Sequence, residues 1–339
     1  MSDLIRQAVD RLKAGELVGM PTETVYGLAA DATNPEAVRK IFAAKQRPAD
    51  HPLIVHLLNP CLKTMDLKTC EEEWSNLLAQ WSRDVSPEAL ILATKFWPGP
   101  LTMILPKAKG VLDEVTGGQD TVGLRCPDQA IALELLRAFG TGLAAPSANR
   151  FGRISPTTAA HVQEEFKDLD LLVLDGGPCR VGIESTIVDL TRLSSHGPVI
   201  LRPGIISQDE IEQALQIKGQ TLIAGGPRVS GSLSAHYAPR TRMVFVNHLG
   251  SLVIKKNSKV AWVHFPDSII PNSLSNSNVS GFEIASDMSE VARQLYALLR
   301  DIDVQNFDLI CFDELPGDSS WDAVRDRLTR AVTGSGINS

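Results

Sequence analysis

Apolar positions recur at helical spacing from the start of the chain. Leu4, Ile5, Ala8, Val9 and Leu12 share one face, Ser2 stands where a helix cap belongs, and Gly15 can end the helix before a strand at 17–20. Asn34-Pro35 repeats the signal, a cap with proline at the first helical position, and Val38, Ile41 and Phe42 form the buried stripe of a helix ending near Lys45. Short apolar runs predict strands at 53–58, 101–105, 121–125, 142–145, 171–174, 186–190 and 199–201. Helical patterns near 72–81, 128–139 and 156–166 separate them, and Ser207-Gln208-Asp209-Glu210 has the form of a capping box opening one last helix. Such alternation predicts a layered α/β domain.

The pattern changes after residue 216. Residues 217–241 hold Gly225-Gly226-Pro227, Gly231 and several serines, the composition of a linker that moves unless contacts hold it. Apolar runs at 243–246, 260–265 and 309–312 then predict buried strands, and amphipathic stretches at 288–299 and 321–332 predict helices. These form a small Rossmann-like α/β unit, but it has no Gly-x-Gly-x-x-Gly, so dinucleotide binding is not inferred. The expected domains are therefore 1–216, a linker at 217–241, and 242–339.

Length supports this division, because 339 residues exceed the usual size of one core. No apolar run approaches the roughly 20 residues that span a bilayer, and the N-terminus has no signal-peptide core, so no membrane role is expected. Cys61, Cys70, Cys126, Cys179 and Cys311 include no Cys-x-x-Cys pair, which argues against structural zinc and fits a reducing cytoplasm, with most of them as small core residues. A net charge of −7 gives no global attraction to nucleic acid, so any contact with tRNA would need a local basic groove.

Two segments carry the candidate chemistry. Pro21-Thr22-Glu23-Thr24-Val25-Tyr26-Gly27-Leu28 is a hydroxyl-rich turn, and Lys45-Gln46-Arg47-Pro48-Ala49-Asp50-His51-Pro52-Leu53 is a compact cationic loop. Hydroxyls and turn amides can read a small polar solute, while a lysine charge and an arginine fork can offset phosphate. On spacing alone, the bland readings compete: a Thr-rich turn is usually only a turn, and a Lys/Arg loop is usually a solvated face.

The wording of these segments resembles the YrdC-like threonylcarbamoyl-AMP synthase family. The resemblance continues through Phe96-Trp97-Pro98-Gly99-Pro100-Leu101-Thr102, Val122-Gly123-Leu124-Arg125-Cys126-Pro127, Ala145-Pro146-Ser147-Ala148-Asn149, Glu184-Ser185-Thr186-Ile187-Val188-Asp189, Leu201-Arg202-Pro203-Gly204 and His236-Tyr237-Ala238-Pro239. It covers residues 17–239, and the last hundred residues resemble the extra C-terminal domain of the long form. The implied fold is a YrdC-like twisted mixed sheet with helices.

The resemblance implies condensation of L-threonine, bicarbonate and ATP into threonylcarbamoyl-AMP with release of pyrophosphate, magnesium bridging phosphate oxygens, and downstream proteins that transfer the threonylcarbamoyl group to tRNA. It assigns Thr24, His56, Arg125, Ala145 and Ser185 to threonine. It assigns Lys45, Arg47, His51, Thr121, Ser147, Asn149, Ser155, Arg202, His236 and Tyr237 to ATP, His236 and Tyr237 as a lid. No covalent nucleophile is implied. The structural alternatives are a core histidine at position 56, a surface ion pair at Arg125, a helix cap at Ser155, and domain-junction packing at Tyr237. Glu23 reads as a structural partner of its turn. The linker departs from the family wording: serine replaces proline in Val229-Ser230-Gly231-Ser232-Leu233-Ser234-Ala235, and the basic residue of some relatives is absent, which predicts a less rigid lid. Two other classes share such domains: a double-stranded-RNA-binding module and a carbamoyl-transfer maturation module. The chain has no paired-cysteine zinc fingers, which weighs against the latter.

Overall fold

The computed structural model describes residues 2–61, 66–219 and 226–336. They divide into two units, one of residues 1–150, 156–180 and 184–232, the other of 151–155, 181–183 and 233–339.

In the first unit the elements run α1 (Asp3–Lys13), β1 (Val18–Met20), β2 (Gly27–Asp31), α2 (Pro35–Lys45), β3 (Ile54–His56), α3 (Leu67–Leu78), α4 (Pro87–Phe96), β4 (Leu101–Pro106), α5 (Asp113–Thr116) and β5 (Thr121–Arg125). They continue with α6 (Ala130–Phe139), β6 (Leu143–Ala144), α7 (Ala159–Glu165), β7 (Leu172–Val173), β8 (Thr186–Asp189), α8 (Leu193–His196), β9 (Val199–Arg202) and α9 (Gln208–Leu215). The strands form one mixed sheet in the order β7-β1-β2-β6-β3-β5-β4-β8-β9.

Local chemistry sets the helix ends. Ser2 Oγ accepts from Ile5 N at 3.3 Å, Asn34 Oδ1 accepts from Glu36 N at 3.0 Å, and Ser207 and Glu210 bond reciprocally at the start of α9. Gln46 adopts a left-handed φ of +53°, which ends α2 and turns the chain into the cationic loop. One face of the sheet packs Val55, Met103, Leu124 and Val188 into the main core with Val38 and Ile41 of α2 and Leu92 of α4.

Several expectations need correction. β2 was absent from the sequence pattern because Gly27-Leu28-Ala29-Ala30 lacks the β-branched residues that mark strands; its small residues suit a central position, where a Cβ on Gly27 would lie 3.1 Å from that of Ala145. α4 carried a legible signal, Ser86-Pro87-Glu88, with Ser86 Oγ accepting from Ala89 N at 3.3 Å. α3 lies earlier than 72–81, capped by Asp66. Ser155 is not a helix cap: α7 starts at Ala159 and Thr158 accepts from His161 N. Cys61 and Cys70 form a disulfide, whereas Cys126, Cys179 and Cys311 are buried thiols as expected of small core residues.

The second unit holds a parallel sheet in the order β10-β13-β11-β12, from β10 (Met243–Phe245), β11 (Lys259–His264), β12 (Asn278–Glu283) and β13 (Leu309–Phe312). Helices α10 (Met288–Asp303) and α11 (Asp322–Gly334) accompany it. β12 escaped the sequence reading because Asn278-Val279-Ser280-Gly281 is an exposed edge strand without an apolar run. Part of the expected linker falls at 220–225, outside the described residues. No described helix is long and apolar enough to cross a membrane.

Candidate functional site

Side chains alternate across a strand, so register decides which residues share a face. His56 pairs with Arg125 and Ile54 with Gly123, Ile104 also pairs with Gly123, Thr102 pairs with Ile187, and Ile187 with Arg202. Ile54, His56, Thr102, Ile104, Arg125, Ile187 and Arg202 therefore lie on the face opposite the main core. The separate candidates become one surface. Ala145 joins it through its N–H, which donates to Ile54 O at 3.0 Å.

Arg125 is the charged centre of this surface. It is no surface ion pair: its Nη2 lies 2.6 Å from Glu23 Oε1, with 5% of the Arg125 side chain and 2% of the Glu23 side chain exposed. Glu23 Oε2 accepts from Asp128 N at 3.0 Å, so both carboxylate oxygens are engaged. The Glu23 partner is thus a distant arginine and loop amide rather than its own turn. Arg125 Nε is buried and has no hydrogen-bond partner among the described residues. A buried donor left in this state marks a place for an acceptor.

The neighbouring groups are polar and fixed. Thr22 Oγ1 bonds Val25 O at 2.6 Å and lies 2.9 Å from Thr24 Oγ1, which anchors the buried Thr24 hydroxyl. Ser185 Oγ lies 2.8 Å from Thr102 Oγ1. His56 is a buried strand histidine whose pKa is pushed down to about 3, first by burial and then by the Arg125 charge, so its imidazole is neutral at pH 7. Its Nδ1 has no hydrogen-bond partner among the described residues. Burial pushes Cys126 up and Cys179 up to about 12, so these neighbouring thiols stay protonated and do not serve as nucleophiles at neutral pH.

The cationic candidates behave differently from one another. Lys45 is fully buried, and its ammonium donates to the carbonyls of Ser147 and Asn149. Burial, then the Arg47 charge, lowers its pKa well below the ordinary lysine value. Lys45 therefore holds the Ser147–Asn149 backbone in place. Arg47 donates to Pro52 O at 2.9 Å and to Ser230 Oγ at 3.5 Å, and Arg202 donates to Ser185 O and to Ser230 O at 2.9 Å. His51 has its pKa lowered, first by burial and then by Arg47.

Residues 228–230 lie over the apolar floor of this face. Val229 packs with Ile54, Ile104 and Ile187, and the space left beside Thr121 is a cavity of about 10 Å³. Arg228 and Gln119 exchange two bonds, Arg228 N to Gln119 Oε1 at 2.7 Å and Gln119 Nε2 to Arg228 O at 3.0 Å. The segment expected to be mobile is pinned here, and the covering residues are 228–230. Ser155, His236 and Tyr237 belong to the second unit, where Tyr237 packs on Tyr296 with ring centroids 5.7 Å apart and lies 5.3 Å from the Arg327 guanidinium. Sequence reasoning gave no site role to Thr22, Thr102, Val229 or Ser230, although Thr22 stands in the hydroxyl-rich turn, Thr102 in a segment that resembles the family, and Val229-Ser230 in the linker. Among the described residues, no group of three His, Cys, Asp or Glu side chains gathers to hold a metal ion.

Comparisons with known proteins place the chain in a family. The Sua5/YciO/YrdC family, described as telomere recombination, matches residues 10–204, and the threonylcarbamoyl-AMP synthase C-terminal domain matches 206–333. The chain is 36% identical over 335 residues to a threonylcarbamoyl-AMP synthase of Pyrococcus abyssi, covering 96% of this chain and 93% of that one. It is 34% identical to the Bacillus subtilis enzyme of the same name, over 97% of this chain and 93% of the relative. The crystal structure of P. abyssi Sua5 complexed with L-threonine superposes with a TM-score of 0.79 at 33% identity, covering 97% of this chain and 94% of that one. With both domains matched along nearly the whole chain, this protein belongs to the threonylcarbamoyl-AMP synthase family.

Proposed function

We propose that the chain condenses L-threonine, bicarbonate and ATP into threonylcarbamoyl-AMP, releasing pyrophosphate. The observation that carries the reading is Arg125, a buried guanidinium held by one carboxylate with its Nε left for an acceptor. A carboxylate-bearing amino acid supplies that acceptor, and the arginine fork orients it. The relative solved with L-threonine supports the same substrate here. Thr24 and Ser185 offer hydroxyls to the amino acid, Ala145 offers main-chain atoms, and neutral His56 encloses it without adding charge.

The reaction needs no covalent enzyme intermediate. The threonine amine forms a bond to the carbon of bicarbonate with loss of water. An oxygen of the resulting carbamate attacks the α-phosphorus as the bond to pyrophosphate breaks. Catalysis of this kind comes from positioning and charge stabilisation. Arg47 and Arg202 supply the charge, while Lys45 fixes the Ser147–Asn149 turn and Thr121 and His51 complete the nucleotide side. Ser230 oxygens accept from both arginines in this conformation, so a triphosphate must displace residues 228–230. Serine oxygens there stand in for phosphate oxygens. Among the described residues no three His, Cys, Asp or Glu side chains gather to cage a cation, so magnesium would be held chiefly by the phosphate oxygens of ATP and would offset their charge. The product passes to the proteins that modify tRNA, and the proposed setting is the cytoplasm.

Mass spectrometry of the purified chain with ATP, bicarbonate and L-threonine should detect threonylcarbamoyl-AMP, with pyrophosphate release that requires threonine. Equal pyrophosphate release without threonine would reject the reading.

Arg125→Lys should raise the threonine KM by about tenfold to a hundredfold, because a point charge cannot reproduce a bidentate fork, while the ATP KM changes little. A larger change for ATP than for threonine would reverse the assignment.

His56 also predicts a pH dependence. Its folded pKa of about 3 lies below the ordinary 6.5, so its neutral form stabilises the fold fully above pH 6.5. As pH falls from 6.5 toward 3, the unfolded chain gains a proton that the folded chain refuses, and stability is lost. Denaturation midpoints from pH 7.5 to 4.5 should fall more steeply for the parent than for His56→Gln; parallel curves would contradict the buried neutral imidazole.

A further inference from the structure

A parallel sheet starts all its strands at one edge, so residues far apart in sequence meet there. In the second unit that edge collects Arg242 just before β10, Lys259 and Asn278 opening β11 and β12, and Asp308 just before β13. The backbone fixes it: Ile310 N donates to Arg242 O, Asp308 N to Lys259 O and Asn278 N to Ser258 O, each at 2.8 Å. The loop before β11 turns through Asn257 at a left-handed φ of +65°, which asparagine tolerates, and Ser258 N donates to Lys255 O at 3.1 Å.

Positive charge gathers on this edge without matching counter-charge. Lys255, Lys256 and Lys259 are every lysine of residues 233–339. Their ammonium groups and the Arg242 guanidinium form no hydrogen bond or ion pair among the described residues. Elsewhere in the unit, Arg293, Arg325, Arg327 and Arg330 each face a carboxylate of their own helix. Asp308 adds one negative charge to the edge, with its Oδ2 turned to the Lys259 amide at 2.8 Å. Like charges held together repel, so the edge favours an anionic occupant.

The same edge is apolar as well. Arg242, Lys255 and Lys256 line an open cavity of about 390 Å³ together with Leu252, Ile254 and Leu309. Val253 leaves 98% of its surface exposed. Lys259 lines a second cavity, of about 590 Å³, with Val279 and Phe307. Exposed apolar groups rimmed by charge mark docking sites, and these suit a partner carrying both carboxylates and aliphatic side chains. A nucleic-acid strand would meet the cations but leave the aliphatic groups uncovered.

We propose that this edge of the C-terminal domain docks an acidic peptide segment of a partner protein, in which carboxylates are interspersed with aliphatic side chains. The carboxylates pair with Arg242, Lys255 and Lys256, and the aliphatic groups cover Val253 and enter beside Leu252 and Ile254. The surface shares no residue with the candidate site and does not rest on the proposed reaction.

The test is fluorescence anisotropy of the full chain with three labelled probes of equal charge: a glutamate-rich peptide with interspersed leucines, a polyglutamate peptide and an oligouridine. The mixed peptide should bind saturably, with polyglutamate about tenfold weaker and oligouridine weaker still. Lys255→Glu/Lys256→Glu should raise the mixed-peptide Kd about tenfold or more, and Val253→Asp about fivefold, with melting temperatures near that of the parent. Lys255→Gln/Lys256→Gln removes charge without reversing it and should fall between parent and reversal. No saturable binding of the mixed peptide, equal binding of the two peptides, or binding that neither lysine variant weakens overturns the proposal. Oligouridine binding tighter than the mixed peptide would assign the surface to nucleic acid, and self-association of the parent that the lysine variants abolish would assign it to a second copy; either result also overturns it.

Discussion

A guanidinium buried on the open face of a sheet needs a compensating charge, and Glu23 supplies it to Arg125. Losing one partner of such a pair costs about 3–5 kcal/mol, because the other charge stays buried alone. The pair also fixes geometry. Glu23 ties the Thr22–Tyr26 turn to β5 and to the loop before α6, through Arg125 and Asp128 N. Tyr26 extends the turn in another direction: its hydroxyl donates to Gly177 O at 2.8 Å and accepts from Gly176 N at 3.1 Å, and burial raises its pKa to about 12. The turn that carries the Thr22 and Thr24 hydroxyls thus has little freedom.

The same economy of charge governs the cationic loop and its neighbours. Lys45 is buried, and its ammonium organises two carbonyls. Arg47 and Arg202 are buried too, but their present partners include Ser230, a residue of the covering segment. In the proposed reaction, exchange of serine oxygens for phosphate oxygens would couple displacement of that segment to arrival of ATP.

Much of the first unit was legible because its helices announce themselves by caps: Ser2, Asn34 and Ser207 each bond as their positions predict. Strand β5 was legible from the alternation around Val122 and Leu124. β2 was hidden because its small residues serve close packing rather than strand preference. The candidate residues were legible only as family wording, and what the sequence could not convey was register: His56 beside Arg125 and Thr102 beside Ile187 put scattered motifs on one face. Glu23 was read as a local turn partner because nothing in a linear chain reveals an arginine 102 positions away. Likewise, Gly and Ser around 226–232 look like a tether, yet Val229 has an apolar floor to fill.

The most direct test of the account is a crystal structure of the full chain soaked with L-threonine. The account predicts the threonine carboxylate at about 2.7–2.9 Å from the Arg125 guanidinium, with Glu23 still paired to Arg125 and the amine directed over the face that bears His56 and Ser185. A threonine bound away from Arg125, or one that displaces Glu23 from it, would contradict the account.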